Sequence, residues 1–266
     1  MTQTEIRHVH IDGHTLRVGI KPGDGPPLLV FNGIGANLEL LEPFTQALDG
    51  IKTIVFDIPG SGGSAPRRLP YRLRYLARLA DKMLDALGID GPVDVLGLSW
   101  GGALAQQFAF TCRGRCRKLV LVSTTPGVLM VPGSPLALLR LLNPRRYRDP
   151  AHLEEIAPAI YGGEVRRDPR IIRDHLGRSR PPHWRGYLQQ QMAFWGWSSL
   201  PWLSKLPQPT LVLSGSDDPL VPLVNARILA KLIPRAKLEV VDDGHLFLLS
   251  RPRSVTPSIQ AFLAAA

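Results

Sequence analysis

Gly97-Leu98-Ser99-Trp100-Gly101 stands between a short apolar run, Val93-Asp94-Val95-Leu96, and a helix-like run from Gly102 to Phe108. G-x-S-x-G between a strand and a helix holds its serine in a strained backbone conformation with the hydroxyl exposed. Glycines two before and two after the serine remove Cβ atoms that would collide across so tight a turn. Small residues at Gly102 and Ala103 let the helix begin close to its strand. With both flanking elements present, Ser99 reads as a nucleophile and not as part of an ordinary glycine-rich loop.

Working outward, residues 5–12 and 15–20 alternate apolar and polar around Asp12-Gly13, which predicts an antiparallel hairpin. Beyond it come short apolar runs: Leu28–Phe31, Thr53–Phe56, Val93–Leu98, Lys118–Val122, Thr210–Leu213 and Leu238–Val241. Most are near-continuous Val, Leu and Ile, as expected of parallel strands covered on both faces. Helical patterns at about 71–88, 100–112, 223–233 and 253–265 alternate with them. The fold class is therefore α/β, with a mostly parallel central sheet and an N-terminal antiparallel hairpin. One interval breaks the rhythm. From Pro126 to about Pro207 the chain is rich in proline and holds Trp184, Trp195, Trp197 and Trp202, four of its five tryptophans. It is expected to be a helical cap, residues 126–206, inserted into a core made of residues 1–125 and 207–266. Its place is over the C-terminal edge of the sheet, where α/β enzymes bind ligands.

Composition narrows the function. With 266 residues, 44% of them hydrophobic, the chain can bury a large core. No apolar run approaches a bilayer span, and the N-terminus lacks a secretory pattern, so a cytoplasmic location is expected. The net charge of +10 raises nucleic acid as a partner. Residues 126–205 hold eleven Arg and one Lys against six Asp or Glu, but scattered among Pro, Leu and Trp with no basic recognition helix. An anionic surface or product fits that pattern better than nucleic acid does. Cys112 and Cys116 are expected to be free thiols at a helix end. His8, His10 and His14 lack the carboxylates or cysteines that would complete a metal site, so no metal is expected. Asp57-Ile-Pro-Gly-Ser-Gly-Gly-Ser64 lacks the lysine of a phosphate-binding loop and reads as a tight turn near the site mouth.

A serine hydroxyl attacks poorly until a base takes its proton and a carboxylate orients that base. In folds of this kind the order is Ser, then Asp or Glu, then His, each just beyond a strand. Thr210–Gly215 runs into Ser216-Asp217-Asp218-Pro219, and Leu238–Val241 runs into Asp242-Asp243-Gly244-His245. His245 is thus the candidate base. Either Asp217 or Asp218 can orient it, and Asp218, next to the proline that fixes the turn, is favoured. Asp242 and Asp243 read as turn residues. The developing oxyanion needs amide donors. Those of Trp100, directly after the nucleophile, and of Ile34, in the loop Phe31-Asn-Gly-Ile-Gly-Ala-Asn37, are expected to serve. Asn32, Trp184, Trp195, Trp197 and Trp202 are further candidates for substrate contact.

With these residues placed, the sequence resembles the α/β-hydrolase superfamily along nearly its whole length. More narrowly, it is similar to the intracellular depolymerases of medium-chain-length polyhydroxyalkanoate. The narrower likeness rests on Phe31–Leu40, Ser99–Phe108, Asn143-Pro-Arg-Arg-Tyr147, Ile160-Tyr-Gly-Gly163 and Asp242–Leu248. The resemblance assigns nucleophile, acid and base to Ser99, Asp218 and His245. It implies a polyester of 3-hydroxy fatty acids stored as cytoplasmic granules, cleaved through an acyl-enzyme without a cofactor. A soluble carboxylesterase or lipase acting on medium-chain esters is the main alternative. A carbon–carbon hydrolase and a non-catalytic granule protein are the others.

Overall fold

The computed structural model describes residues 3–142, 144–147, 149–176 and 180–265. Eight strands form one sheet: β1 (Glu5–Ile11), β2 (His14–Lys21), β3 (Asp24–Phe31), β4 (Ile51–Phe56), β5 (Val93–Leu98), β6 (Cys116–Val122), β7 (Thr210–Gly215) and β8 (Ala236–Val241). Their order is β1-β2-β4-β3-β5-β6-β7-β8. β1 and β2 pair antiparallel with each other, β2 pairs antiparallel with β4, and the remaining pairs are parallel. The hairpin closes as its sequence requires. Asp12 and Gly13 both take positive φ, 49° and 74°, and Ile11 pairs with His14 across a two-residue turn.

Eleven α-helices lie among the described residues: α1 (Glu42–Ala47), α2 (Leu73–Ala86), α3 (Trp100–Thr111), α4 (Pro135–Leu142), α5 (Pro150–Tyr161), α6 (Gly163–Arg167), α7 (Arg170–Leu176), α8 (Trp184–Phe194), α9 (Leu223–Leu232), α10 (Phe247–Ser250) and α11 (Pro252–Ala264). Strand alternation divides the core between the two faces of the sheet. Leu29, Phe31, Val95, Leu119 and Leu121 pack with α2, α3 and α9. Leu28, Val30, Leu96, Leu98, Val120 and Val122 pack with α1, α10 and α11. A fully buried side chain of this size contributes roughly 1.5–3 kcal/mol, so the two layers supply most of the driving force.

The chain from β6 to β7 carries α4 to α8. Ala137, Leu153, Ile156 and Val165, from α4 to α6, join the core on one face of the sheet. Ala193, Leu203 and Leu206 join the core on the other. The excursion therefore straddles the sheet edge from which Ser99 emerges. Its Asn143 lies outside the described residues. Cys112 and Cys116 are free and buried, and burial pushes the Cys112 thiol up to about 12, far from a reactive thiolate. His8 and His10 are exposed on β1, and no group of three metal-ligating side chains occurs among the described residues.

Candidate active site

Ser99 joins β5 to α3 at φ 55°, ψ −119°, a conformation that costs a non-glycine residue about 1–3 kcal/mol. The surrounding contacts hold it there. Its N–H donates to Val122 O at 2.8 Å, and its carbonyl accepts from Gly102 N at 2.8 Å and Thr124 Oγ1 at 2.7 Å. A Cβ on Gly97 would strike the Gly101 carbonyl, one on Gly101 the Phe31 carbonyl, and one on Gly102 the Thr124 side chain. All three positions need glycine because α3 starts in direct contact with its neighbouring strands.

Beyond β7, two adjacent aspartates turn in opposite directions. Asp218 is buried, and its Oδ2 lies 2.7 Å from His245 Nδ1. Its Oδ1 accepts from the amides of Leu220 and Val221 at 3.0 and 2.9 Å, which fixes the carboxylate from behind. Asp217 faces α6 instead, accepting from Gly163 N and Arg166 Nη1. His245 is also buried. Its amide donates to Tyr161 O, and its ring lies nearly parallel to the Tyr161 ring, with centroids 6.3 Å apart. With Nδ1 engaged by Asp218, Nε2 is the ring nitrogen left for chemistry. Asp243 is a brace, accepting from Glu164 N, Gly244 N and Ser250 Oγ.

Gly162 and Gly163, at φ 64° and 49°, join α5 to α6. A Cβ on the first would strike the Asp217 carbonyl, and one on the second the Gly244 amide. The α5–α6 turn is thus seated directly on the loops that carry Asp218 and His245.

The loop after β3 is held from three directions. Asn32 Nδ2 donates to Asn37 O at 2.7 Å, and Asn32 Oδ1 accepts from Gly33 N at 2.8 Å. Asn37 Nδ2 donates to Glu39, Glu39 accepts from Arg17, and Arg17 also reaches the buried Asp57. Asp57 Oδ1 in turn accepts from Leu38 N, and burial raises its carboxyl above the usual range despite these donors. The third hold comes from α8. Gln190 Oε1 accepts from Gly35 N at 2.8 Å, Gln190 Nε2 donates to Ser61 Oγ at 2.7 Å, and Gln190 O accepts from Trp100 Nε1 at 3.0 Å. One buried glutamine thereby ties α8 to the Ile34 loop and to the start of α3.

Ser99, His245, Gly33 and Ile34 line one cavity. Leu40, Leu98, Leu141, Leu153, Ile172, Leu220 and Leu246 make its wall largely apolar, and Arg146 and Arg180 supply its charge. Arg146 is buried, donating to the hydroxyls of Tyr161 and Tyr187. A larger groove between β2, α1 and α11 contains none of the candidate catalytic residues.

Several sequence candidates lie away from the cavity. Asn32 is a loop brace, and neither it nor any of the four tryptophans lines the cavity. Trp197 and Trp202 are packing groups: Trp197 Nε1 donates to Gln107 Oε1, and Trp202 stacks on Phe110 at 4.4 Å. Trp184 and Trp195 face solvent. The Asp57–Ser64 turn does not line the cavity, but Ser61 bonds the Gln190 that holds Gly35 of the cavity wall. The turn seats α8, with Gly60 against Gly186 so closely that a Cβ on either would strike the other's backbone. Nothing in the sequence distinguishes Gln190 from the glutamines on either side of it. Arg146 carries one signal, its place in Asn143-Pro-Arg-Arg-Tyr147.

A strained serine at the β5–α3 turn, an Asp–His pair from the loops after β7 and β8, and an apolar cavity make a candidate serine hydrolase site on this sheet order. The sequence pattern of the alpha/beta hydrolase fold family matches residues 26–252, and the chain belongs to that family. Over 261 residues it is 52% identical to a poly(3-hydroxyalkanoate) depolymerase of Ectopseudomonas oleovorans, covering 97% of this chain and 92% of that protein. It superposes on an enol-lactonase from Burkholderia xenovorans with a TM-score of 0.84 at 23% identity, over 97% of this chain and 100% of the other. For a thermophilic esterase from Thermogutta terrifontis the TM-score is 0.79 at 26% identity, over 98% of each chain. The lactonase likeness bears on the fold alone.

Proposed function

We propose that this protein hydrolyses the ester bonds of a medium-chain-length poly(3-hydroxyalkanoate), releasing 3-hydroxyalkanoic acids or short oligomers. Ser99 Oγ attacks the ester carbonyl while His245 Nε2 takes its proton. Asp218 holds the imidazole and stabilises the imidazolium that forms. The amides of Ile34 and Trp100 receive the oxyanion. His245 then returns the proton to the departing 3-hydroxyl oxygen, leaving an acyl-enzyme. A water, deprotonated by His245, attacks that ester, and Ser99 leaves with the proton restored. No cofactor enters the cycle. Residues 126–206 act as the cap that supplies the apolar wall around the acyl chain.

The 2.7 Å bond between Asp218 and His245, in a cavity shared with Ser99, carries the reaction class. Its apolar wall suits an alkyl side chain, and the 52% likeness to a poly(3-hydroxyalkanoate) depolymerase supports the polymer as substrate. The proposed place of action is the surface of a cytoplasmic storage granule. The test is release of 3-hydroxy acids from amorphous medium-chain polyester particles by the wild type and by Ser99→Ala. The variant is expected to lose about four to six orders of magnitude in turnover, together with labelling by a fluorophosphonate. Wild-type protein that cleaves dissolved medium-chain esters but not the polymer would replace this substrate with a soluble one.

A further inference from the structure

Helix α8 is amphipathic in the reverse sense. Gly186, Tyr187, Gln189, Gln190 and Ala193 are its buried positions. Its outward line is Trp184, Leu188 and Met192, 55%, 46% and 39% exposed, followed just past the helix end by Trp195 at 76%. Spacings of four, four and three residues put these side chains in one row along the helix. Leu69, 69% exposed, belongs to a segment that lies beside it, because Gln189 Nε2 donates to Arg67 O. Arg72 reaches across to the carbonyls of Met192 and Trp195.

The two segments that meet at this face carry one sign of charge. Between Asp57 and Asp81 the sequence has five arginines and no acidic residue. Between Asp174 and Asp217 it has three arginines and a lysine, again with no acidic residue. Arg68, beside Leu69 in the chain, and Arg185 on α8 are exposed, and the Arg185 guanidinium sits 5.3 Å over the Trp184 ring. A row of large apolar side chains, aromatic at both ends and rimmed by cations, matches a partner that is oily and negatively charged at its surface. A polyester of hydroxy fatty acids under hydrolysis is such a partner. Its side chains are alkyl, and every ester bond broken at its surface leaves a carboxylate.

We infer that the α8 face, with Leu69 beside it, is the surface by which the protein docks on its solid polyester substrate, at a place separate from the cavity that holds Ser99. This rests on the polymer reading given above. The alkyl side chains of the polymer receive Trp184, Leu188, Met192 and Trp195, while Arg68 and Arg185 pair with carboxylate chain ends.

The experiment compares the wild type, Trp184→Ser/Trp195→Ser and Arg68→Ser/Arg185→Ser in co-sedimentation with amorphous polyester particles. Release of 3-hydroxy acids and hydrolysis of a dissolved p-nitrophenyl ester are measured in parallel. The tryptophan variant is expected to lose about tenfold or more in particle binding and polymer turnover while keeping its rate on the dissolved ester. The arginine variant is expected to bind with a weaker dependence on salt than the wild type. Equal particle binding by the wild type and the tryptophan variant, with the polymer still degraded, overturns the docking face and leaves the polymer reading intact. A wild type that neither binds nor degrades the particles overturns both. Loss of binding only to vesicles containing phosphatidylglycerol assigns the face to a membrane and overturns the proposal. So does a wild-type dimer that the tryptophan variant breaks without changing particle binding.

Discussion

Gln189, Gln190 and Gln191 are consecutive and chemically identical, yet only Gln190 braces the loop that carries Ile34. Replacing it with leucine removes the acceptor for Gly35 N–H and the donor to Ser61, and a buried group left unpaired costs about 1–3 kcal/mol. If that bond sets the angle of the Ile34 amide, Gln190→Leu should lower kcat on a dissolved ester about ten- to a hundredfold with KM little changed. Gln190→Glu, which keeps an acceptor at Gly35, should recover most of it. An equal loss of thermal stability in both variants with no change in kcat would make the residue purely structural. No periodicity separates three glutamines in a row, so this brace could not be read from sequence. Ser99 could be, because the steric conditions at its turn lie within five consecutive residues. Asp217 and Asp218 fall between these cases. The position beyond β7 was legible, but which carboxylate meets His245 depends on a turn that sends one to Arg166 and the other to the imidazole.

At the scale of the element, α8 sits where it does because Gly60 and Gly186 touch backbone to backbone. Alanine in a helix interior is ordinarily worth up to about 1 kcal/mol over glycine. In Gly186→Ala the new methyl meets the Gly60 backbone, which cannot swing aside as a flexible side chain would. Overpacking of this kind costs about 1–3 kcal/mol, so the clash wins. The variant should melt several degrees lower in a calorimetric scan, and a rise in melting temperature would refute the contact. The strands were readable because both faces of the sheet are covered and their apolar runs are nearly continuous. β3 begins at Asp24, ahead of its apolar run, because Asp24 N donates to Gly50 O. The predicted helix over 71–88 starts only at Leu73, since Tyr71 is buried with its hydroxyl donating to Pro59 O. Between β6 and β7 the usual signal inverts. The structure buries Gln189 and Gln190 and exposes Trp184, Leu188 and Met192, the opposite of what a helix packed by its apolar stripe would do. Pro158 inside α5 obscures a second helix.

Over the whole molecule, arginine–carboxylate pairs hold distant segments together and give stability a definite pH dependence. Burial is the largest single influence on Glu39 and raises it, but hydrogen bonds and positive charge, from Arg17 above all, together hold the carboxyl below its ordinary 4.5. Glu164 is lowered by hydrogen bonds from Arg251 and then Arg167. A carboxyl whose folded pKa is lowered adds stability that is fully present above its unfolded value and is lost as pH falls through the folded one. Asp57 and Asp94 are raised by burial and have the opposite sign, so acid relieves part of their cost. The lowered set is the more numerous among the described residues, and it includes Asp149, Asp168 and Glu239. Melting temperature should therefore fall as pH drops below about 4.5, and Glu39→Gln should flatten that fall while destabilising the neutral protein. Thermal melts at a series of pH values decide it, since an unchanged slope would remove Glu39 from the account. The seat of the α5–α6 turn on the Asp217 and Gly244 backbones has a consequence for inheritance. A segment between β6 and β7 that is seated through two glycines on the loops after β7 and β8 cannot be exchanged as a cassette bounded by those strands alone. The transferable unit is the β6–β7 segment together with the loops that follow β7 and β8.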